Sequence, residues 1–374
     1  MAITVYDSNN PMAVKKWSAY LSKEIATGLD LAPLIGTGPN NIIRLYDETS
    51  KGSGDVINYF LQCQLVGSAR DDNSPLVGNE ESPQFMMDRI VIDTIRHATQ
   101  VPNKATIFDQ RIPFSLRDAA KEQLKMWFKT LISRMFFIHA CGYDAPEIDQ
   151  GGTRVTLSKG DVGHNVVQKP STERVIYAGG KNSDDSITDT DRTCILTLDL
   201  IDEAVHKAQT SYPPMAPVQT EGGEYYVLYM HPTQAKQLRS NTGAGQWLDI
   251  TKYAYASTGL KNPIFTGSLG IYNGVILRVS NHVTHGVKAS DNTVCTKVRR
   301  AVFLGSHAVT LAFGRNYGPY RYIWHDETKD HNALYSASAR TIMGLKKTQF
   351  KKSESDDKLQ DFGTIVISTS TYTK

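Results

Sequence analysis

Cysteine is scarce in this chain: 4 thiols in 374 residues, Cys63, Cys141, Cys194 and Cys295, with no Cys-x-x-Cys pair. That spacing makes a poor disulfide framework and a poor zinc site, and predicts buried or half-buried thiols in a reducing compartment. No run approaches the roughly 18 consecutive apolar residues of a membrane span. The N-terminus lacks the basic-then-apolar layout of a signal peptide, and no Asn-x-Ser/Thr acceptor occurs, so neither export nor a membrane is expected. Charge of one sign is missing too. With 41 basic and 38 acidic residues the net charge is +3, far from the strongly basic signature of a dedicated nucleic-acid binder. That balance leaves room only for transient or nonspecific contact with nucleic acid.

The signatures of catalysis are equally thin. Gly36-x-Gly38 lacks the rest of a dinucleotide loop, and the Gly-Lys-Ser/Thr of a phosphate loop appears nowhere. Ser53 and Ser268 lie beside glycines without forming a Gly-x-Ser-x-Gly elbow. His282-x-x-His285 has no carboxylate close in sequence and reads as a surface pair. Asp184, Asp185, Asp189 and Asp191 do not match a calcium-loop spacing and read as a solvated acidic loop. No catalytic residue, cofactor site or metal site is expected.

What the chain does contain is an arm. Gly54 to Gly67 and Met86 to Arg96 are rich in β-branched and aromatic residues, and each predicts a strand. Between them runs a polar, acidic segment with Arg70, Asp71, Asp72, Glu80 and Glu81, too poor in apolar surface to pack alone. Two strands holding out a polar tip need something to hold, which favours assembly over catalysis.

A tethered helix precedes the arm. Asn9-Asn10-Pro11 starts it, and Val14, Trp17, Leu21 and Ile25 give it one apolar stripe, with Trp17 as its anchor. After the arm, Ser115 caps the longest helix. Leu116, Ala120, Leu124, Phe128, Leu131, Met135 and Ile138 form its stripe, and Gly142 ends it. Burying six or seven such side chains contributes a gross stabilisation on the order of 10 kcal/mol or more. This helix is a structural spine.

Residues 143–189 are Gly-, Ser- and Asp-rich with short strand-like pieces such as Arg174 to Ala178, an unusually long irregular stretch for a compact domain. Asp189 or Asp191 is placed to cap a second helix carrying Ile195, Leu198, Ile201, Val205 and Ala208. Strands are expected at 224–230, 274–280, 301–304, 308–312, 340–343 and 363–368, a short helix from Pro232 to Leu238, and a loop region over 240–260. The basic block with Lys346, Lys347, Lys351 and Lys352 reads either as a solvated edge that discourages aggregation or as a docking surface for the acidic tip or for nucleic acid.

Several stretches in a shared order resemble the major capsid proteins of tailed double-stranded DNA bacteriophages, specifically a family from short-tailed phages with the Hong Kong 97-type fold. They are Gly54 to Gly67, Gly78-Asn-Glu-Glu81, Ile92-Asp-Thr-Ile-Arg-His97 and Gln110-Arg-Ile-Pro-Phe114 in the first part of the chain. Tyr226-Val-Leu-Tyr-Met-His-Pro232, Asn262 to Gly267 with Leu269-Gly270, and Gly344-Leu-Lys-Lys347 with Asp361-Phe-Gly363 follow. The resemblance runs, with gaps, from about Trp17 to about Val366.

It implies an α+β fold with an N-terminal arm (1–49), an extended β-hairpin loop (50–105), a peripheral domain holding the spine helix (106–189 and 336–374) and an axial domain (190–335). It implies a structural, non-enzymatic subunit that self-assembles into hexamers and pentamers of an icosahedral shell around double-stranded DNA. The place implied is the virion, after assembly in the bacterial host cytoplasm. Some relatives carry a cross-linking lysine on the arm. None occurs here between Lys51 and Lys104, so noncovalent contacts or cement proteins are expected instead. Separate scaffolding and portal proteins are expected partners. Intersubunit contacts are expected at Trp17, Arg70, Asp71, Asp72, Glu80, Glu81, Lys346, Lys347, Lys351 and Lys352. The competing readings are a tail or adhesion module and, less so, a hydrolase without a known motif.

Overall fold

The two β-branched stretches pair. Val56–Gln62 and Phe85–Val91 form an antiparallel ladder running from Val56↔Val91 to Gln62↔Phe85. The computed structural model describes residues 18, 21–25, 31–47, 54–62, 68–69, 80, 82, 85–103, 107–150, 153–188, 190, 192–220, 223–240, 268–315, 320–353 and 356–372. The second stretch, expected as one strand, is broken at Ile92, whose N–H leaves the ladder to donate to Asp55 O at 2.8 Å. Beyond it the chain continues as Asp93–Pro102 into the body of the protein.

There it joins a six-stranded sheet built on Leu334–Lys347. The first part of that strand lies between Tyr322–Lys329 and Asp93–Pro102, antiparallel to both. Its end, Met343 to Lys347, pairs with Val309–Phe313, which pairs in parallel with Ile43–Asp47. Sequence pattern predicts only residues 340–343 here, because the alternation Tyr335, Ala337, Ala339 buries small side chains that carry little strand signal.

The spine helix, Leu116–Ala140, lies on this sheet. Its cap is as expected: Asp118 N–H donates to Ser115 Oγ at 3.4 Å. Gly142 follows the helix with φ of 59°, and a Cβ there would meet Gln168 O at 2.7 Å, so glycine is required twice over. Leu124, Phe128, Leu131 and Met135 pack on Tyr335, Ala337, Ala339 and Met343. The one-sided stripe holds only for the first half of the helix. From Leu131 onward all residues but Arg134 are buried, so the second half runs through the core.

An eight-stranded sheet forms the second layer system, with Gly223–Met230, Val294–Leu304 and Thr364–Ser370 at its centre. Leu198–Thr210 and Pro232–Ser240 cover it, placing Ile201, Ala204 and Val205 in one cluster with Phe303, Ile365 and Ile367. The first of these helices begins at Leu198 after Thr197, not at Asp189 or Asp191, which lie outside the described residues. A 3-10 turn, Arg192–Cys194, occupies the expected start and leaves Ile195 outside the helix.

The sheets cut across the expected domain lines. Val309–Phe313 and Tyr322–Lys329, expected in an axial domain over 190–335, belong to the sheet beneath the spine helix. Thr364–Ser370, expected with the spine helix, lies in the eight-stranded sheet. Long-range pairing overrides sequence proximity, and one cluster joins Phe137 of the helix to Tyr229 and Val302 of the other sheet.

Candidate functional site: the arm and its root

Side chains alternate across a strand, so the hairpin register assigns every described arm residue to a face. Ile57, Tyr59, Leu61, Met86, Asp88 and Ile90 share one face; Val56, Asn58, Phe60, Phe85, Met87 and Arg89 share the other. The first face turns inward at its root: Tyr59 is 2% exposed and Ile90 0%. The second keeps Phe60 58%, Phe85 57% and Met87 68% exposed. Large apolar side chains side by side on one open sheet face mark a surface made for another surface.

Three devices fix the root. Tyr59 is enclosed by aromatic rings, with centroids 5.6 Å from Tyr46, 5.7 Å from His307 and 6.1 Å from Phe350. Its hydroxyl donates to Asp88 Oδ2 at 2.5 Å, and burial, then the Asp88 charge, holds the phenol well above its usual range. Asp88 is also ion-paired with Lys346 and accepts from Gln349 N–H at 3.3 Å. Lys346 Nζ donates in addition to Arg89 O at 3.1 Å. Finally, the Asn165 amide copies a strand neighbour: Val91 N–H donates to its Oδ1 and its Nδ2 donates to Val91 O, both at 2.9 Å. A Cβ on Gly344 would stand 2.1 Å from Val91 O, so only glycine lets the long strand approach the root this closely.

The expected contact residues divide. Trp17, Arg70, Asp71, Asp72 and Glu81 lie outside the described residues. Glu80 is exposed, as is Lys351, on the strand Gln349–Ser353; the side chain of Lys352 lies outside the description. Lys346 and Lys347 do not form part of an exposed basic block. Lys346 is committed to Asp88, and Lys347 is 0% exposed with its ammonium 2.9 Å from both Asp361 oxygens. Alternation along Leu334–Lys347 explains this: each residue turns to a different face, and both faces there are covered.

Two further readings are corrected. Asp184 is not solvated; it is 2% exposed and bound by Arg300, with Nε at 2.9 Å and Nη2 at 2.8 Å from its Oδ2. His285 is not a surface residue but 7% exposed. Among the described residues no group of His, Cys, Asp and Glu could hold a metal ion, and no helix is long and apolar enough to cross a membrane. Cys141, Cys194 and Cys295 are buried and form no disulfide among the described residues; Cys63 lies outside them. Asp88 was legible and missed: Met86, Asp88 and Ile90 at period two place a carboxylate on an apolar face.

Burial, the first cause in each case, drives His139, His231, His285 and His307 down to about 4. The unfolded chain takes up these protons as pH falls through the ordinary histidine value, about 6.5, whereas the folded chain does so only near 4. Their contribution is therefore complete above about 6.5 and is lost progressively as pH falls towards about 4. Urea midpoints measured across that window should decline steadily; a flat profile would refute the buried neutral state of these rings.

A family model described as phage capsid protein matches residues 5–373. No curated protein matches in sequence. Among solved structures, the capsid of Ralstonia phage GP4 is similar at 29% identity and a TM-score of 0.76, covering 99% of this chain and 98% of that one. The capsid of cyanophage Pam1 is similar at 20% identity and 0.67, with 92% of each chain covered. The head of Helicobacter pylori bacteriophage KHP40 is similar at 14% and 0.60, covering 90% of this chain and 89% of that one.

Proposed function

The chain belongs to the phage capsid protein family, and from that premise we propose that it is the major capsid protein, assembling into hexamers and pentamers of an icosahedral head around double-stranded DNA. The observation that carries this reading is the arm: a rigidly clamped root and an outer face of Phe60, Phe85 and Met87 left open in the single subunit. Such a face is covered when another copy of the chain receives it, and repetition around symmetry axes multiplies each modest contact. The role is structural rather than enzymatic. The location is the virion, reached by assembly in the bacterial host cytoplasm, with separate scaffolding and portal proteins and noncovalent or cement-protein reinforcement. Contacts through Trp17, Arg70, Asp71, Asp72, Glu80, Glu81, Lys351 and Lys352 belong to this proposal. Lys346 and Lys347 do not, because both are spent inside the subunit.

Met87→Asp tests it. On an exposed strand face the change should move subunit stability by no more than about 0.5 kcal/mol. Assembly should fail, because a carboxylate would be buried without a partner in the interface. Co-expression with the neighbouring genes, followed by size exclusion and electron microscopy, should give closed shells for the unaltered chain and free, folded subunits for the variant. Shells of normal yield from the variant would remove the arm face from the interface. Fibrous trimers from the unaltered chain would overturn the capsid reading.

A further inference from the structure

Beside the middle of the spine helix lies a cavity of about 290 Å³. Its walls include Arg134 from the helix, Asp149 from the small hairpin strand Glu147–Gln150, His282 and His285, and Arg299 from Val294–Leu304. That volume is at the lower end of small-molecule sites, which run from about 300 to 1,000 Å³. It is too large to be a packing defect.

Three side-chain nitrogens on these walls are buried without a hydrogen-bond partner among the described residues: Arg134 Nε, Arg299 Nε and His285 Nδ1. His285 is itself 7% exposed. Buried polar groups in folded proteins are nearly always satisfied, so three orphans around one cavity call for an occupant. The charges indicate its sign. Arg134 is paired with Asp161 through Nη2. Arg299 donates through Nη1 to Val283 O at 2.9 Å, and no carboxylate forms an ion pair with it among the described residues. Burial depresses Arg299 to about 10, and Arg299 in turn helps hold His285 near 4. Arg299 thus makes no ion pair among the described residues, and the through-space charge of Asp149 opposes the burial that depresses it. Asp149, also on the wall, is the one opposing feature, and it disfavours a fully ionised guest.

We propose that this cavity binds a tetrahedral oxyanion of the phosphate class between Arg134, Arg299 and His285. Its oxygens accept from the two Nε–H groups. His285 serves either as an N–H donor to a third oxygen or as the acceptor of a P–OH. Two sources carry this chemistry, free phosphate and the phosphate of a nucleic-acid backbone, and the test separates them.

The full-length chain is titrated with inorganic phosphate at constant ionic strength, against chloride, by calorimetry and thermal unfolding. Binding at about 1 mM or tighter should appear as heat and a raised melting temperature. Arg299→Gln should weaken that binding about tenfold or more, the value of a hydrogen bond to a charged group. Arg134→Gln gives the same reading should the first variant misfold, with circular dichroism as the check on each. A short DNA duplex is then added. Competition with phosphate that Arg299→Gln abolishes assigns the site to the nucleic-acid backbone; phosphate binding indifferent to the duplex assigns it to the free ion. Absence of heat and of any shift beyond chloride in the unaltered chain overturns the proposal, whatever the variants do.

Discussion

Asp184→Ala is expected to lower the unfolding free energy by about 3–5 kcal/mol, the cost of stranding one member of a buried ion pair. Arg300 and Asp184 have side chains only 8% and 1% exposed, so water cannot take over the lost contact. The carboxylate also accepts from Val287 N–H at 2.9 Å, and that donor would be orphaned as well. On its far side Arg300 donates to Cys141 O at 3.2 Å and Gly142 O at 2.8 Å, the carbonyls at the C-terminal end of the spine helix, where a cation is favoured. One guanidinium thus joins the helix end, the strand Val294–Leu304 and the turn Asp184–Ser186. Gly286 belongs to the same device, since a Cβ there would stand 2.7 Å from Asp184 Oδ2. Urea unfolding is the measurement. Asp184→Asn, which keeps the shape and the acceptor, should cost less than the alanine. Equal midpoints for unaltered and alanine chains would dismiss the clamp.

Lys347→Met should cost a similar amount, about 3–5 kcal/mol, for the same reason at a different place. Here both partners are 0% exposed, and Asp361 is further held by Gln349 Nε2 at 2.7 Å and Ser171 N–H at 3.1 Å. The methionine roughly matches the aliphatic stem and leaves the carboxylate uncompensated. Adding Asp361→Leu should then restore part of the loss, because removing both charges spares their desolvation. Thermal unfolding of the two single variants and the double variant closes the cycle. A double variant whose loss equals the sum of the two single losses would mean that the charges do not interact, contrary to the geometry.

Both pairs show where sequence reading ended. The local signals were dependable: Ser115 as a cap, Gly142 as a stop, and the alternation of the hairpin all describe neighbours in the chain. Asp184 looked like one of four acidic residues in a loop, because its partner lies 116 positions away and nothing nearby announces it. Lys347 looked like part of a basic block for the same reason, and the strand that turns Lys346 and Lys347 to opposite faces was expected only over 340–343. The length of Leu334–Lys347 was hidden by Ser and Ala, which pack well beneath a helix yet carry little intrinsic strand preference. The division of the sheets was likewise closed to the sequence, since it depends on which distant strands meet. The arm face was legible as alternation, but its openness required the fold.

One consequence of the broken strand at Ile92 is mechanical. The arm strand Phe85–Val91 and the body strand Asp93–Pro102 follow each other along the chain with one residue between them. A pull on the far end of the arm is therefore transmitted along Asp93–Pro102, parallel to its ladder with Leu334–Lys347. The hydrogen bonds of that antiparallel ladder stand across the direction of pull. They resist sliding together, as stitches along a seam do, rather than opening one by one like a zipper. A tug on the arm is thus shared across the ten residue pairs from Asp93↔Met343 to Pro102↔Leu334, behind a root that is itself clamped.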